Sequence, residues 1–120
     1  DYRENLKYFI TQARNASMNP IFLTSIRLCK FNDGVVADDA IDEYRNAMIA
    51  LGEEMNVPVI DVGAAHRSLL DSMGEEQAKT MFNVAGNDTT HLTEAGADAV
   101  AEIVIEGIKT NTNVLKNFVK

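Results

Sequence analysis

The chain has 120 residues, 46% hydrophobic and 24% charged, which suits a single soluble globular domain with a core of its own. A formal net charge of −7 argues against a nucleic-acid partner, and the lysines and arginines are too scattered for an anionic membrane surface. No apolar run is long enough to span a bilayer. One cysteine, Cys29, excludes an internal disulfide and leaves the compartment open.

From Tyr2 to about Ala16, Leu6, Phe9, Ile10 and Ala13 recur at helical spacing. Asn19-Pro20 breaks that pattern, and Ile21 to Ile26 reads as a short strand buried on both faces. Cys29 just beyond it reads as a small hydrophobe near a strand end. Residues Arg27 to Ala37, with Asn32-Asp33-Gly34, read as a loop. Asp38 or Asp39 is placed to cap a long helix with Ala40, Ile41, Tyr44, Ala47, Met48 and Leu51 in its stripe, ending near Asn56. Val57 to Val62 is the second strand, its Pro58 near the start where no ladder donor is lost.

Gly63 to Met73 is predicted helical, with a further turn or two over Glu75 to Met81. Phe82 to Thr90 is a polar loop. Thr93 then caps a last helix whose Ala97, Val100, Ala101, Val104 and Ile108 form one stripe. Asn111-Thr112-Asn113 ends that helix, and Val114, Leu115, Phe118 and Val119 suit a short amphipathic docking helix. Helices alternating with apolar strands imply an α/β fold with a short parallel sheet of about two strands and four to five helices. So small a parallel sheet leaves one apolar edge without its neighbour, and such an edge is expected to drive homo-oligomerisation.

The chemistry concentrates in Asn87-Asp88-Thr89-Thr90-His91-Leu92-Thr93. Reactive groups of open α/β sheets collect on loops at the carboxyl ends of strands. A carboxylate three residues before an imidazole, on a loop feeding a capped helix, supplies two parts of a nucleophilic hydrolase triad. Asp88 would orient His91 and steady the imidazolium, and His91 would be the base, the two meeting at about 2.6–3.2 Å. Gly96 and Ala97 allow the last helix to approach a neighbouring backbone closely.

Other candidates are weaker. Ser25 ends the first strand but lacks a Gly-x-Ser-x-Gly elbow. His66, beside Arg67 and outside any metal-ligand spacing, reads as a solvated histidine. Asp38-Asp39 with Asp42-Glu43 could attract a cation, although acids in a first helical turn are favoured by the dipole alone. Arg27 is either a contact for a substrate carboxylate or a surface arginine.

Several blocks together resemble the C-terminal half of the SGNH/GDSL hydrolases, most closely their rhamnogalacturonan acetylesterase-like branch. They are Tyr2-Arg3-Glu4-Asn5-Leu6, Asn19-Pro20-Ile21-Phe22-Leu23-Thr24, Tyr44-Arg45-Asn46-Ala47, Val59-Ile60-Asp61-Val62 and, most specific, Asp88-Thr89-Thr90-His91-Leu92-Thr93 with Gly96-Ala97. The resemblance covers residues 1–110 as one part of such a domain, leaving 111–120 as a tail. It implies a partial three-layer, flavodoxin-like α/β/α fold, with His91 as general base and Asp88 as its orienting carboxylate. It also implies an acetylated carbohydrate or other small ester as substrate, no metal or organic cofactor, and a secreted or cell-envelope location.

The family's nucleophilic Ser in a Gly-Asp-Ser motif, its oxyanion-hole Gly and its Asn in Gly-x-Asn-Asp have no counterpart in this sequence. Asp71-Ser72 follows Leu70, and Asn32-Asp33 lies in the mid-chain loop. Two readings are therefore carried forward. One is the His/Asp arm of a serine ester hydrolase. The other is a non-catalytic α/β binding or assembly module derived from that family.

Overall fold

The computed structural model describes residues 1–111 and 114–120. In chain order its elements are α1 (Tyr2–Asn15), β1 (Phe22–Leu23), β2 (Phe31–Asn32), β3 (Val35–Val36), α2 (Ile41–Met55), β4 (Val59–Ile60), α3 (Val62–Met73), α4 (Glu75–Lys79) and α5 (Glu94–Thr110). Single 3-10 turns lie at Val84–Gly86 and Val114–Phe118.

β1 and β4 pair in parallel, Phe22 opposite Val59 and Leu23 opposite Ile60. Alternation along the strands sends these pairs to opposite faces. Ile10 of α1, Phe22, Leu51 of α2 and Val57 form one buried cluster, with Val59 packed against it. On the other face Ile60 meets α5 at Gly107, where a Cβ would lie 2.4 Å from the Ile60 side chain. The sheet thus sits between α1 and α2 on one side and α5 on the other, a partial three-layer α/β/α arrangement.

Burial of the first strand on both faces does not hold. Phe22 and Thr24 are buried, whereas Leu23 is 44% exposed and Ser25 is exposed. On that face α5 packs on Ile60 of β4, while Leu23 of β1 stays partly in solvent. Among the described residues β1 also has a strand neighbour on one side only. The outer edge of β4 is occupied differently, by the Asn111 side-chain amide, which donates to the Val59 carbonyl at 2.6 Å.

The segment expected as a loop contains a β-hairpin, with Phe31 opposite Val36 and Asn32 opposite Val35. Asp33 and Gly34 both take positive φ, 51° and 80°. That pair of conformations makes the turn whose twist matches antiparallel strands. The hairpin delivers Val36 to a second buried cluster with Cys29, Leu70, Ala78 and Phe82. Cys29 is thus the small core hydrophobe expected from the sequence, and burial pushes its thiol pKa up.

Three local expectations need correction. Phe9, placed in the α1 stripe, is exposed, because the packed side of that helix centres on Leu6 and Ile10. α2 starts after Ala40 without a side-chain cap, and the Asp39 carboxylate instead accepts the Ile41 N–H at 2.7 Å from one residue further out. In α5, Ala97 and Ala101 are exposed while Val100, Val104 and Ile108 are half-buried, and the close contacts of the helix are made at Gly96 and Gly107. Gly96 sits against the Met81 carbonyl and Gly107 against the Ile60 side chain, and these close approaches leave the two alanines of the expected stripe in solvent.

Other signals behave as expected. Asn56 ends α2 in the left-handed conformation, and the Thr93 hydroxyl caps α5 by accepting the Gly96 N–H. α5 ends at Asn111; Thr112 and Asn113, also assigned to that stop, lie outside the described residues. Beyond them Val114–Phe118 is a 3-10 turn that leaves Phe118 exposed. No helix among the described residues is long and apolar enough to cross a membrane.

Candidate active site

Phe82 and Leu92 flank the polar loop and form an isolated antiparallel bridge, with Phe82 buried in the Cys29 cluster and Leu92 packed against it. Between them the chain folds back on itself. The Asn83 N–H donates to the His91 carbonyl at 3.0 Å, and the Asp88 N–H to the Asn83 carbonyl at 3.2 Å. Asn87 takes a positive φ of 56° after the 3-10 turn, reversing the chain into Asp88.

Two outside anchors hold this loop. The Cys29 N–H donates to the Thr89 carbonyl at 2.9 Å, tying the loop to the segment that follows β1. At the start of α5, Thr93 donates its N–H to the Met81 carbonyl at 3.0 Å and its hydroxyl to the Thr80 carbonyl at 2.9 Å. Gly96 lets the helix settle onto the same strap, since a Cβ there would lie 2.1 Å from the Met81 carbonyl oxygen. The close approach anticipated at Gly96-Ala97 is therefore made by Gly96 alone.

Asp88 and His91 meet at the top of this frame. Asp88 Oδ2 lies 2.7 Å from His91 Nδ1. Asp88 Oδ1 accepts the Thr90 N–H at 2.9 Å, the Thr90 hydroxyl at 2.8 Å and the His91 N–H at 3.0 Å. The Thr90 N–H, the His91 N–H and then the Thr90 hydroxyl hold the Asp88 carboxyl well below the usual carboxylate range, so it is ionised at neutral pH.

A deprotonated Nδ1 at 2.7 Å from a carboxylate oxygen would set two acceptors against each other. The contact therefore assigns a proton to Nδ1, and in the neutral ring the basic lone pair resides on Nε2. The His91 side chain is 82% exposed, which leaves that nitrogen accessible.

The remaining candidates lie elsewhere. His66 is not solvated: it is 1% exposed, and its Nδ1 accepts the Arg27 main-chain N–H at 3.0 Å. Burial, and then the Arg27 charge, push its pKa down to about 4. Arg27 is neither a surface arginine nor open to a substrate. It is 1% exposed, donates from both terminal nitrogens to Asp42 at 2.6 and 3.2 Å, and gives one further bond to the Ala37 carbonyl.

Three of the four acids at the start of α2 face arginines. Asp42 pairs with Arg27 and Asp38 with Arg67, and Asp39 lies 3.8 Å from Arg27. The Arg27 hydrogen bonds, and then the Asp39 N–H, lower the Asp42 pKa to about 2. No group of three metal-ligating side chains occurs among the described residues.

A cleft of about 690 Å³ lies between β4, α3 and α5 and is lined mainly by apolar side chains such as Leu69 and Ile103. A smaller polar one of about 240 Å³ lies beside Arg27, Arg45 and Arg67. Neither includes Asp88 or His91.

Thr90 is the residue of this contact network that spacing alone did not single out. The signal available for it was an Asp followed two residues later by a hydroxyl residue, a pattern that favours a side chain bonding its local backbone.

No family model matches the chain. It is 34% identical over 119 residues to rhamnogalacturonan acetylesterase RhgT of Bacillus subtilis (strain 168), covering 90% of this chain and 51% of that protein. It is 34% identical over 110 residues to the probable rhamnogalacturonan acetylesterase YesY of the same organism, covering 90% and 50% respectively. The chain thus spans about half the length of these curated relatives. The crystal structure of protein YxiM from Bacillus subtilis superposes with a TM-score of 0.79 at 25% identity, over 89% of this chain and 30% of that one.

Proposed function

Because this chain belongs to the rhamnogalacturonan acetylesterase-like branch of the SGNH/GDSL hydrolases and corresponds to their C-terminal half, we propose that it carries the His/Asp arm of a serine ester hydrolase. The substrate is an acetylated carbohydrate, by analogy with the names of its relatives. The observation that carries this reading is the 2.7 Å contact between Asp88 Oδ2 and His91 Nδ1, made by a carboxylate whose other oxygen is fully engaged.

In the proposed mechanism His91 Nε2 takes the proton of a serine hydroxyl as its oxygen attacks the ester carbonyl. Asp88 stabilises the imidazolium that results and keeps the ring oriented. Collapse of the tetrahedral intermediate breaks the bond to the sugar oxygen, which receives the proton from Nε2. Water then repeats the sequence on the acetyl-serine and releases acetate. The nucleophile is assigned to sequence outside these 120 residues, because none of Ser17, Ser25, Ser68 and Ser72 stands in a Gly-Asp-Ser setting.

The test uses this chain alone and fused behind the N-terminal half of RhgT, with 4-nitrophenyl acetate and acetylated rhamnogalacturonan as substrates. The chain alone is expected to stay at the buffer rate. The fusion is expected to turn over, and His91→Ala to lower kcat by about 10⁴- to 10⁶-fold. A fusion that hydrolyses both substrates equally well without His91 rejects the proposal. Turnover by the chain alone that disappears in Ser25→Ala would place the nucleophile at Ser25 instead.

A further inference from the structure

Asp88 Oδ1 receives three hydrogen bonds, all from its own loop. Two are main-chain N–H groups, which the turn supplies whatever side chain stands at position 90. The third is the Thr90 hydroxyl, the one contact that depends on residue type. Thr90 Oγ1 also lies 3.2 Å from His91 Nδ1, so the hydroxyl touches both partners.

The hydroxyl has a single proton to give. With Nδ1 protonated, that proton goes to Asp88 Oδ1, and a lone pair of Oγ1 faces the Nδ1–H. Thr90 then does two things at once. It occupies the carboxylate oxygen that would otherwise compete for the imidazole, leaving Oδ2 as the partner of Nδ1. It also offers Nδ1–H a second, weaker acceptor. Both effects favour the Nδ1-protonated ring, whereas a neutral histidine free in water prefers its proton on Nε2. For a base acting through Nε2, only the former tautomer is competent.

The geometry points to Thr90 as the positioning residue of this pair, a hydroxyl that holds the Asp88 carboxylate and selects the reactive tautomer of His91. This rests on the assignment of His91 as base and Asp88 as its orienting carboxylate. The substitutions that isolate it are Thr90→Val, which keeps shape and removes the hydroxyl, and Thr90→Ser, which restores it.

The measurement is long-range ¹H–¹⁵N NMR of the neutral imidazoles in the 120-residue chain, with His66 as fold control. His66 accepts at Nδ1 and must show its proton on Nε2 in every variant. His91 is expected mainly as the Nδ1–H form in the parent chain, severalfold depleted in that form in Thr90→Val, and restored in Thr90→Ser. In the fusion to the N-terminal half of RhgT, Thr90→Val should lower kcat about tenfold with KM unchanged.

A His91 ring that is mainly Nε2–H in the parent chain overturns the Asp88–His91 assignment itself. A parent ring mainly Nδ1–H that keeps its tautomer in Thr90→Val overturns the role of Thr90 alone. An equal loss of the Nδ1–H form in Val and Ser variants does the same, because it assigns the effect to side-chain packing and not to the hydroxyl.

Discussion

His66 is 1% exposed and receives the Arg27 main-chain N–H on Nδ1, while His91 has most of its side chain in solvent and directs Nδ1 at the Asp88 carboxylate. The two rings are therefore held in opposite tautomers. Around His66 the charges are spent on each other: both terminal nitrogens of Arg27 are taken by Asp42 and Ala37, its Nε alone lacking a partner among the described residues, and burial keeps the imidazole neutral. Around His91 the carboxylate is held by its own loop, and the second ring nitrogen is left open. The first arrangement can only hold the fold together. The second keeps a basic atom available in a fixed orientation, which is what proton transfer requires.

The largest effect expected from this contrast is on stability. Asp42→Ala removes both carboxylate hydrogen bonds of the buried Arg27, leaving only the Asp39 carboxylate at 3.8 Å, and should lower the unfolding free energy by up to about 3–5 kcal/mol in urea titrations. Asp88→Ala removes an equally well bonded carboxylate from an exposed loop and should change stability far less. Equal losses would show that the His91 loop is as much a part of the folding core as the Arg27 knot.

A second effect appears on lowering pH. The His66 pKa falls from 6.5 in the unfolded chain to about 4 in the folded one. Unfolded chains therefore bind the extra proton, and the contribution is complete above pH 6.5 and lost as pH drops towards 4. That loss is about 3 kcal/mol. Asp42, with a folded pKa of about 2, adds a further decline between the ordinary carboxylate range and that value. His66→Asn keeps an acceptor for the Arg27 N–H but cannot titrate, so its stability should be nearly flat from pH 6.5 to 4. A slope in that window as steep as the parent's would remove His66 from the account.

The smallest expected effect connects the two regions through the α5 strap. Gly96→Ala places a methyl group against the Met81 carbonyl oxygen, from which a Cβ would be only 2.1 Å away. The strap must shift, at about 1–3 kcal/mol. The shift should move the His91 ring signals and leave those of His66 in place, because Met81 and Thr93 anchor only the former loop directly.

The helices were legible because their apolar spacing and end signals are local. Asn56, Thr93 and the flanking acids act within one turn of the residues they cap. The Asp88–His91 contact was legible for the same reason, being closed within four residues of chain. The hairpin was missed because each strand has only two residues, too short for alternation to register against an Asn-Asp-Gly segment that also suits a loop. His66 and Arg27 were misjudged because nothing in their neighbours along the chain marks them as buried. Their partners are 39 residues apart in one case and 15 in the other.

By itself, then, the sequence determined the α/β alternation, the helix limits and the polar turn that brings a carboxylate to an imidazole, all of them consequences of short-range geometry. Tertiary structure decided which polar residues would be desolvated and which would stay reachable. It also decided which side of α5 would be packed, through glycine contacts at Met81 and Ile60. The physical reason is that burial depends on what the remote chain places overhead. Covered by Phe82 and the Arg27 backbone, one histidine becomes part of the core. With no such cover, the other keeps a nitrogen free for chemistry.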